Sequence, residues 1–137
     1  MTPLLLDTHA AIWISENEPI SDSAVQALDR AADEGTPVLV SPISAWEIGL
    51  LVARGRLALP VSPKAWFERI LEAPQVSLAE LPPSVLIDSS FLPNAAFRDP
   101  ADRILAATAR EFGFALITRD RELLNYAAAG HLKAIAC

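Results

Sequence analysis

The sequence has a single cysteine, no long apolar run, and fewer basic than acidic residues. With Cys137 as the one thiol, no intrachain disulfide can form, and nothing suggests an oxidising compartment. No apolar stretch approaches the roughly 20 residues a membrane-crossing helix needs, so no membrane association is expected. The opening residues Met1 to Asp7 carry neither a basic leader nor a long apolar segment, and are expected to form a strand rather than a secretion signal. A cytoplasmic protein is the default expectation. Repeats, low-complexity tracts and linkers are also missing, so residues 1–137 are expected to form one domain.

The shortage of basic residues bears on function. Seventeen acidic against eleven basic residues give a formal charge of −6, whereas nucleic-acid binders usually present a basic face. That objection weakens if some acids belong to a metal site. Setting aside Asp7, Glu47, Asp99, Asp102 and Asp120 leaves 12 acids against 11 bases. Charge therefore does not decide the class.

What the sequence does contain is a core. Just over half of its 137 residues are hydrophobic and a fifth are charged, a globular balance. Pro3 to Leu6 is an apolar run ending at Asp7-Thr8, which predicts a buried strand and then a helix start. A helix follows through Ala11, Ile12 and Trp13, with a loop from Ser15 to Pro19. Ser21 is placed to cap a second helix that Gly35 stops. Val38 to Val40 predicts a second buried strand, Ser44 to Arg54 a helix closed by Gly55, and Ala65 to Leu71 another helix. Val76 to Leu81 is a weaker strand, and Val85 to Phe91 a helix. Pro100 to Phe112 is a strong helix ending at Gly113, followed by a strand at Ala115 to Ile117. A helix from Arg121 to Ala129 and a strand at Ala134 to Ala136 finish the chain. Short apolar strands alternating with helices imply an α/β fold with a parallel, doubly wound sheet.

Carboxylates recur where strands stop or helices begin. Asp7 ends the first strand, Glu47 is expected in the first turn of the helix after the second, Asp99 and Asp102 open the long helix, and Asp120 follows the penultimate strand. Ligand sites in open parallel sheets form outside the carboxyl ends of the strands, so Asp7, Glu47 and Asp120 are expected to share one edge. Asp102 joins them only if its helix folds back beside them. Two unit charges ~4 Å apart repel by roughly 4 kcal/mol at an effective dielectric near 20, so such a gathering calls for a cation. Oxygen ligands without His or Cys favour Mg²⁺ or Mn²⁺ over zinc, and such ions assist phosphodiester cleavage.

Each acid also has a plainer reading as a helix cap. Asp7, Asp99 before Pro100, and Asp120 all suit the N-cap position. Ser44 and Glu47 have capping-box spacing, and Asp102 would complement a helix dipole. Capping does not explain why all fall where one sheet edge could collect them.

In order and spacing, Leu5-Leu6-Asp7-Thr8-His9, Ser44-Ala45-Trp46-Glu47-Ile48, Phe97 to Ala109 (FRDPADRILAATA) and Ile117-Thr118-Arg119-Asp120 resemble the motifs of PIN-domain proteins. Among these, the VapC-type toxins of bacterial toxin–antitoxin pairs are similar across essentially the whole chain. The resemblance implies a three-layer α/β/α sandwich with a short parallel sheet. It also implies Mg²⁺- or Mn²⁺-dependent endoribonuclease activity, a cognate antitoxin, a homodimer and a 5′-phosphate product. Asp7, Glu47, Asp102 and Asp120 match the family's acidic quartet, catalytic and metal-holding. Asp99 is then a helper or cap, and Thr118 is placed to hold a site carboxylate or water.

Arg98, Arg103, Arg119 and Arg121 are candidates for RNA phosphates, or else for surface ion pairs of small net value. Trp13, Trp46 and Trp66 lie in apolar helical patterns and are expected in core or interface rather than stacked on bases. His9, two positions past Asp7, is a candidate for an acid–base role but is expected to pack or face solvent, since the quartet needs no histidine, and His131 is expected on a loop surface. The apolar stretches Ala45 to Val52 and Trp66 to Leu71 suit helix–sheet packing, or cover by an antitoxin or second copy. A receiver-type phospho-signalling module would want Asp after the second strand and Lys after a later one, where Ser41 and Thr118-Arg119 stand. A haloacid-dehalogenase-type phosphatase would want Asp at the position of His9. The remaining alternative to a nuclease is a catalytically idle PIN-like partner-binding protein.

Overall fold

Three leucines in a row, Leu4 to Leu6, can be buried together only in a strand covered on both faces. The computed structural model, which describes residues 2–137, makes them the central strand of a five-stranded sheet. Strands β1 (Leu4–Leu6), β2 (Val38–Val40), β3 (Val76–Leu78), β4 (Ala115–Thr118) and β5 (Lys133–Ala136) are all parallel, in the order β3-β2-β1-β4-β5. Helices α1 (Thr8–Ser15), α2 (Asp22–Glu34), α3 (Pro42–Ala53), α4 (Pro63–Glu72), α5 (Pro83–Asp88), α6 (Pro100–Phe112) and α7 (Arg121–Ala128) connect them.

The two-residue period of the strands divides the core in two. Leu4, Leu6, Val38, Val40 and Ile117 pack with Ala10, Ile12, Ala24, Ile48, Trp66 and Ile70 of α1 to α4. Leu5, Leu39 and Leu116 face the other way, against Val85, Leu105, Ala106, Leu123 and Tyr126 of α5 to α7. This is the expected α/β/α layering. Helix α3 crosses the sheet edge above β2, with Ile48 packed in the first core and Ile43 against the second.

Sheet order then fixes where a site can form. The chain steps from β1 outward to β2 and β3, and returns to β4 and β5 on the other side of β1. The direction therefore reverses between β1 and β4, which opens a crevice outside their carboxyl ends. Helix α6 runs back against the sheet before β4, because Gly113 at φ 72° turns the chain from one into the other. That reversal carries the N-terminus of α6 to the carboxyl edge, and with it Asp102.

Several element boundaries differ from the sequence reading, each for a local reason. Helix α3 begins at Pro42 rather than Ser44, because the Ser41 hydroxyl accepts the Ile43 N–H (3.1 Å) and Pro42 suits the first helical position. Glu47 is thus in the second turn of α3, and Ser44 and Glu47 are not a capping box. Strand β3 stops at Leu78, where Ala79 donates its N–H to the Val40 carbonyl (2.8 Å) and Pro82-Pro83 soon follow. Helix α5 starts at Pro83 and ends at Asp88, short of Phe91.

Because Ser41 is fully buried and sets where α3 begins, Ser41→Ala should lower stability by about 1 kcal/mol in urea unfolding. An unchanged midpoint would show that proline and packing alone fix the start of α3.

Candidate active site

Asp7 is a carboxylate placed inside the protein. It follows β1 directly, its backbone N–H donates to the Ile117 carbonyl of β4 (3.0 Å), and its side chain is only 6% exposed. One carboxylate oxygen accepts the Ala10 N–H (2.7 Å) and caps α1, while the other accepts the Thr118 hydroxyl proton. The Thr118 hydroxyl in turn accepts the Asp120 N–H (3.0 Å). One fully buried hydroxyl thereby ties the acid after β1 to the acid after β4.

Asp120 and Asp99 repeat the capping pattern. An Asp120 oxygen accepts the Leu123 N–H (2.9 Å) at the start of α7, and an Asp99 oxygen accepts the Asp102 N–H (2.9 Å) at the start of α6. The N-termini of α1, α6 and α7 therefore converge on one place, and their partial positive charge helps to hold carboxylates there. Each cap uses only part of a carboxylate's acceptor capacity, so capping leaves these acids able to take a further partner.

A pocket of about 370 Å³ collects the set, lined by Asp7, Glu47, Asp99, Asp102 and Asp120 with Thr8, His9, Trp13 and Arg119. Glu47 reaches it from the second turn of α3, which packs against α6. Its carboxylate accepts a hydrogen bond from Thr8, whose hydroxyl also lies 2.9 Å from that of Ser44. The sequence reading missed both hydroxyls as site residues. Thr8 had a signal in its place beside Asp7, and Ser44 in standing one helical turn before Glu47.

The remaining candidates divide. The Arg119 guanidinium sits 3.8 Å from the Trp13 ring centroid and donates to the carbonyls of Pro19 (3.3 Å) and Cys137 (3.2 Å) on the pocket wall. Arg103 turns away, and its guanidinium binds the carbonyls of Ser89 (2.8 Å) and Phe97 (2.7 Å) to secure the loop before α6. That corrects its place among candidate RNA ligands. Arg98 and Arg121 are exposed and outside the pocket lining. Trp66 is core, with its indole N–H on Glu16 (2.7 Å), but Trp46 is 54% exposed rather than packed inside. His9 is exposed at the pocket, and His131 lies on the loop between α7 and β5, as expected, with its ring stacked on Tyr126 at 4.6 Å.

The electrostatics are those of a site under strain from its own charge. Burial raises the Asp7 carboxyl, against the Thr118 and Ala10 hydrogen bonds that favour the ion. Burial likewise raises Glu47, with the Thr8 hydrogen bond opposing it. Asp102 is pushed up to about 8, first by burial and then by the charges of Asp99, Asp120, Glu47 and Asp7. Among the described residues no group of three or more His, Cys, Asp or Glu side chains is so placed that it could hold a metal ion. An open, oxygen-only set still suits a hard divalent cation that keeps several of its own waters.

The profile of the PIN domain family matches residues 4–129. Ribonuclease VapC22 of Mycobacterium tuberculosis is 37% identical over 127 residues, which cover 92% of this chain and 93% of that protein. Among solved structures, VapBC2 from Rickettsia felis bound to a promoter DNA fragment superposes with a TM-score of 0.71 at 14% identity, covering 98% of both chains. FitAcB from Neisseria gonorrhoeae superposes at 0.56 with 23% identity, covering 96% of both chains.

The raised carboxyls give a testable sign. Without divalent cations the folded state binds more protons than the unfolded chain between about pH 4 and 8, because Asp102 moves from 3.8 to about 8. Stability in chelator should therefore fall as pH rises through that window. Asp102→Asn should flatten the slope and gain on the order of 1 kcal/mol at pH 8, after allowance for solvent screening. Thermal unfolding of both proteins from pH 5 to 8.5 measures it, and parallel curves would remove Asp102 as the cause.

Proposed function

The chain belongs to the PIN domain family, and on that premise we propose that it is a divalent-metal-dependent endoribonuclease, the toxin of a toxin–antitoxin pair. The observation that carries this reading is the convergence of Asp7, Glu47, Asp102 and Asp120 on one pocket at the sheet's switch point. The likeness to a protein named as a ribonuclease supports it.

Asp7, Asp102 and Asp120 would hold Mg²⁺ or Mn²⁺, with Glu47 completing the set or orienting the attacking water. The ion, when bound, supplies the positive charge that makes hydrolysis of a phosphodiester by water feasible at neutral pH. The protein's part is positional. Thr118 fixes the distance between the Asp7 and Asp120 arms through one hydroxyl. Three helix N-termini hold the acids ready without closing the pocket to substrate. Arg119, rested on Trp13, is the basic side chain on the wall and is suited to an RNA phosphate beside the scissile bond. Attack of water in line on phosphorus, with the 3′-oxygen as leaving group taking up a proton, would leave a 5′-phosphate and a 3′-hydroxyl.

The partners we propose are a cognate antitoxin and a second copy of the chain, with the cytoplasm as the place of action. Among the described residues no helix is long and apolar enough to cross a membrane. Exposed Trp46, Ile87 and Phe91, and an apolar groove of about 600 Å³ lined by Ile14, Leu28, Ile70 and Val76, support a chain that is covered in its resting state.

Purified protein free of antitoxin should cleave structured RNA with Mg²⁺ or Mn²⁺ and stop with chelator. Asp7→Asn and Asp102→Asn should each lower the rate at least ~100-fold, as expected for lost charge compensation in the transition state. Wild type and Asp7→Asn behaving alike across several RNAs would leave the idle partner-binding protein as the better account.

A further inference from the structure

Glu47 differs from Asp7 and Asp120, the two acids of the quartet that cap helices after strands. It does not cap a helix or follow a strand, but projects from the middle of α3 and is half-buried. A flexible Glu in such a place loses rotamer freedom when it is fixed, so something must select one geometry. The structure supplies two hydroxyls. Thr8 is 2% exposed and Ser44 fully buried, so neither has ready access to bulk water to meet its hydrogen-bonding needs.

The direction of these bonds follows from proton counting. A hydroxyl has one proton and two acceptor sites. The Glu47 carboxylate can only accept, so the Thr8 proton goes to Glu47. Thr8 must then accept from Ser44, whose own proton supplies the 2.9 Å contact. The order is Ser44 to Thr8 to Glu47, with one polarity.

We propose that Ser44 and Thr8 are positioning residues, a two-hydroxyl relay that holds the Glu47 carboxylate in register with Asp7, and this rests on the nuclease reading for its catalytic meaning. The relay joins two elements. Thr8 begins α1 immediately after Asp7, and Ser44 stands on α3 one turn before Glu47. It therefore ties the acid of α3 to the acid of β1, as Thr118 ties Asp7 to Asp120. Together the two devices set three acids from three elements against one another by hydroxyl groups alone.

The relay predicts an ordered set of effects. Thr8→Val keeps the shape and removes the donor. It should weaken Mn²⁺ binding, measured by calorimetry without RNA, and lower kcat by about 10- to 100-fold, while KM moves less than about threefold. Thr8→Ser restores the hydroxyl and should recover to within about threefold of wild type. Ser44→Ala should have the smaller effect, because Thr8 still donates to Glu47. The Thr8→Val, Ser44→Ala pair should be no worse than Thr8→Val alone.

Crystal structures of the metal-free variants give a readout independent of activity. The Glu47 carboxylate should move in Thr8→Val and stay in Thr8→Ser. Equal loss in Thr8→Val and Thr8→Ser, or additive effects in the double variant, would overturn the relay. Wild-type Mn²⁺ binding, cleavage and Glu47 placement in Thr8→Val would overturn it while leaving the nuclease intact. If wild type binds no Mn²⁺ and cuts no RNA, yet Glu47 shifts in Thr8→Val alone, the nuclease reading fails and the relay stands.

Discussion

A carboxylate buried between two strands is the constraint on which the rest of the molecule turns. Asp7 sits at the crevice between β1 and β4 with a backbone bond to Ile117, a cap bond to Ala10 and a hydroxyl bond from Thr118. Burying an ionised group without partners would be prohibitive, and these bonds lower that cost without removing it. They also leave little freedom for the acid to move. Every other pocket acid is arranged around a group that is already fixed.

The fold provides that arrangement through direction alone. In a parallel sheet every strand ends at the same edge, and every helix leading into a strand begins there. Asp7 and Asp120 arrive at strand ends, Asp99 and Asp102 at the start of the helix leading into β4, and Glu47 on the helix leaving β2. The cost is charge crowding, seen in Asp102 at about 8. The gathering of acids at one pocket and a stability liability are here the same feature, because the crowded carboxylates repel one another.

Capping a helix and lining the pocket, which compete when the sequence is read one residue at a time, prove compatible in the structure. Asp7, Asp99 and Asp120 each cap a helix and each line the pocket, since a carboxylate has more acceptor sites than one N–H can fill. Glu47 is the instructive case. Its spacing from Ser44 resembles a capping box, but the true cap lies at Ser41, and the Ser44–Glu47 spacing reflects one face of a helical turn instead. Arg103 errs in the other direction. Its neighbourhood of acids in sequence suggests a phosphate ligand, yet a long side chain follows the nearest open carbonyls, which belong to Ser89 and Phe97.

The sequence by itself determined the layered α/β architecture and the strand and helix order, and its motifs carry the resemblance that singles out the acids of the quartet. Apolar runs of three or four residues bounded by caps and glycines are local signals, and the family motifs are contiguous. The family resemblance already placed Thr118 beside a site carboxylate, but only the tertiary structure decided which carboxylate it meets and that Thr8 and Ser44 stand at Glu47. The Thr118 link to Asp7 spans 111 residues and the Thr8 link to Glu47 spans 39. Burial of Trp66 against exposure of Trp46, and the stacking of Arg119 on Trp13, likewise depend on which faces the packing leaves open. Such contacts form between elements that meet only after the sheet has assembled, so no local pattern in the chain records them.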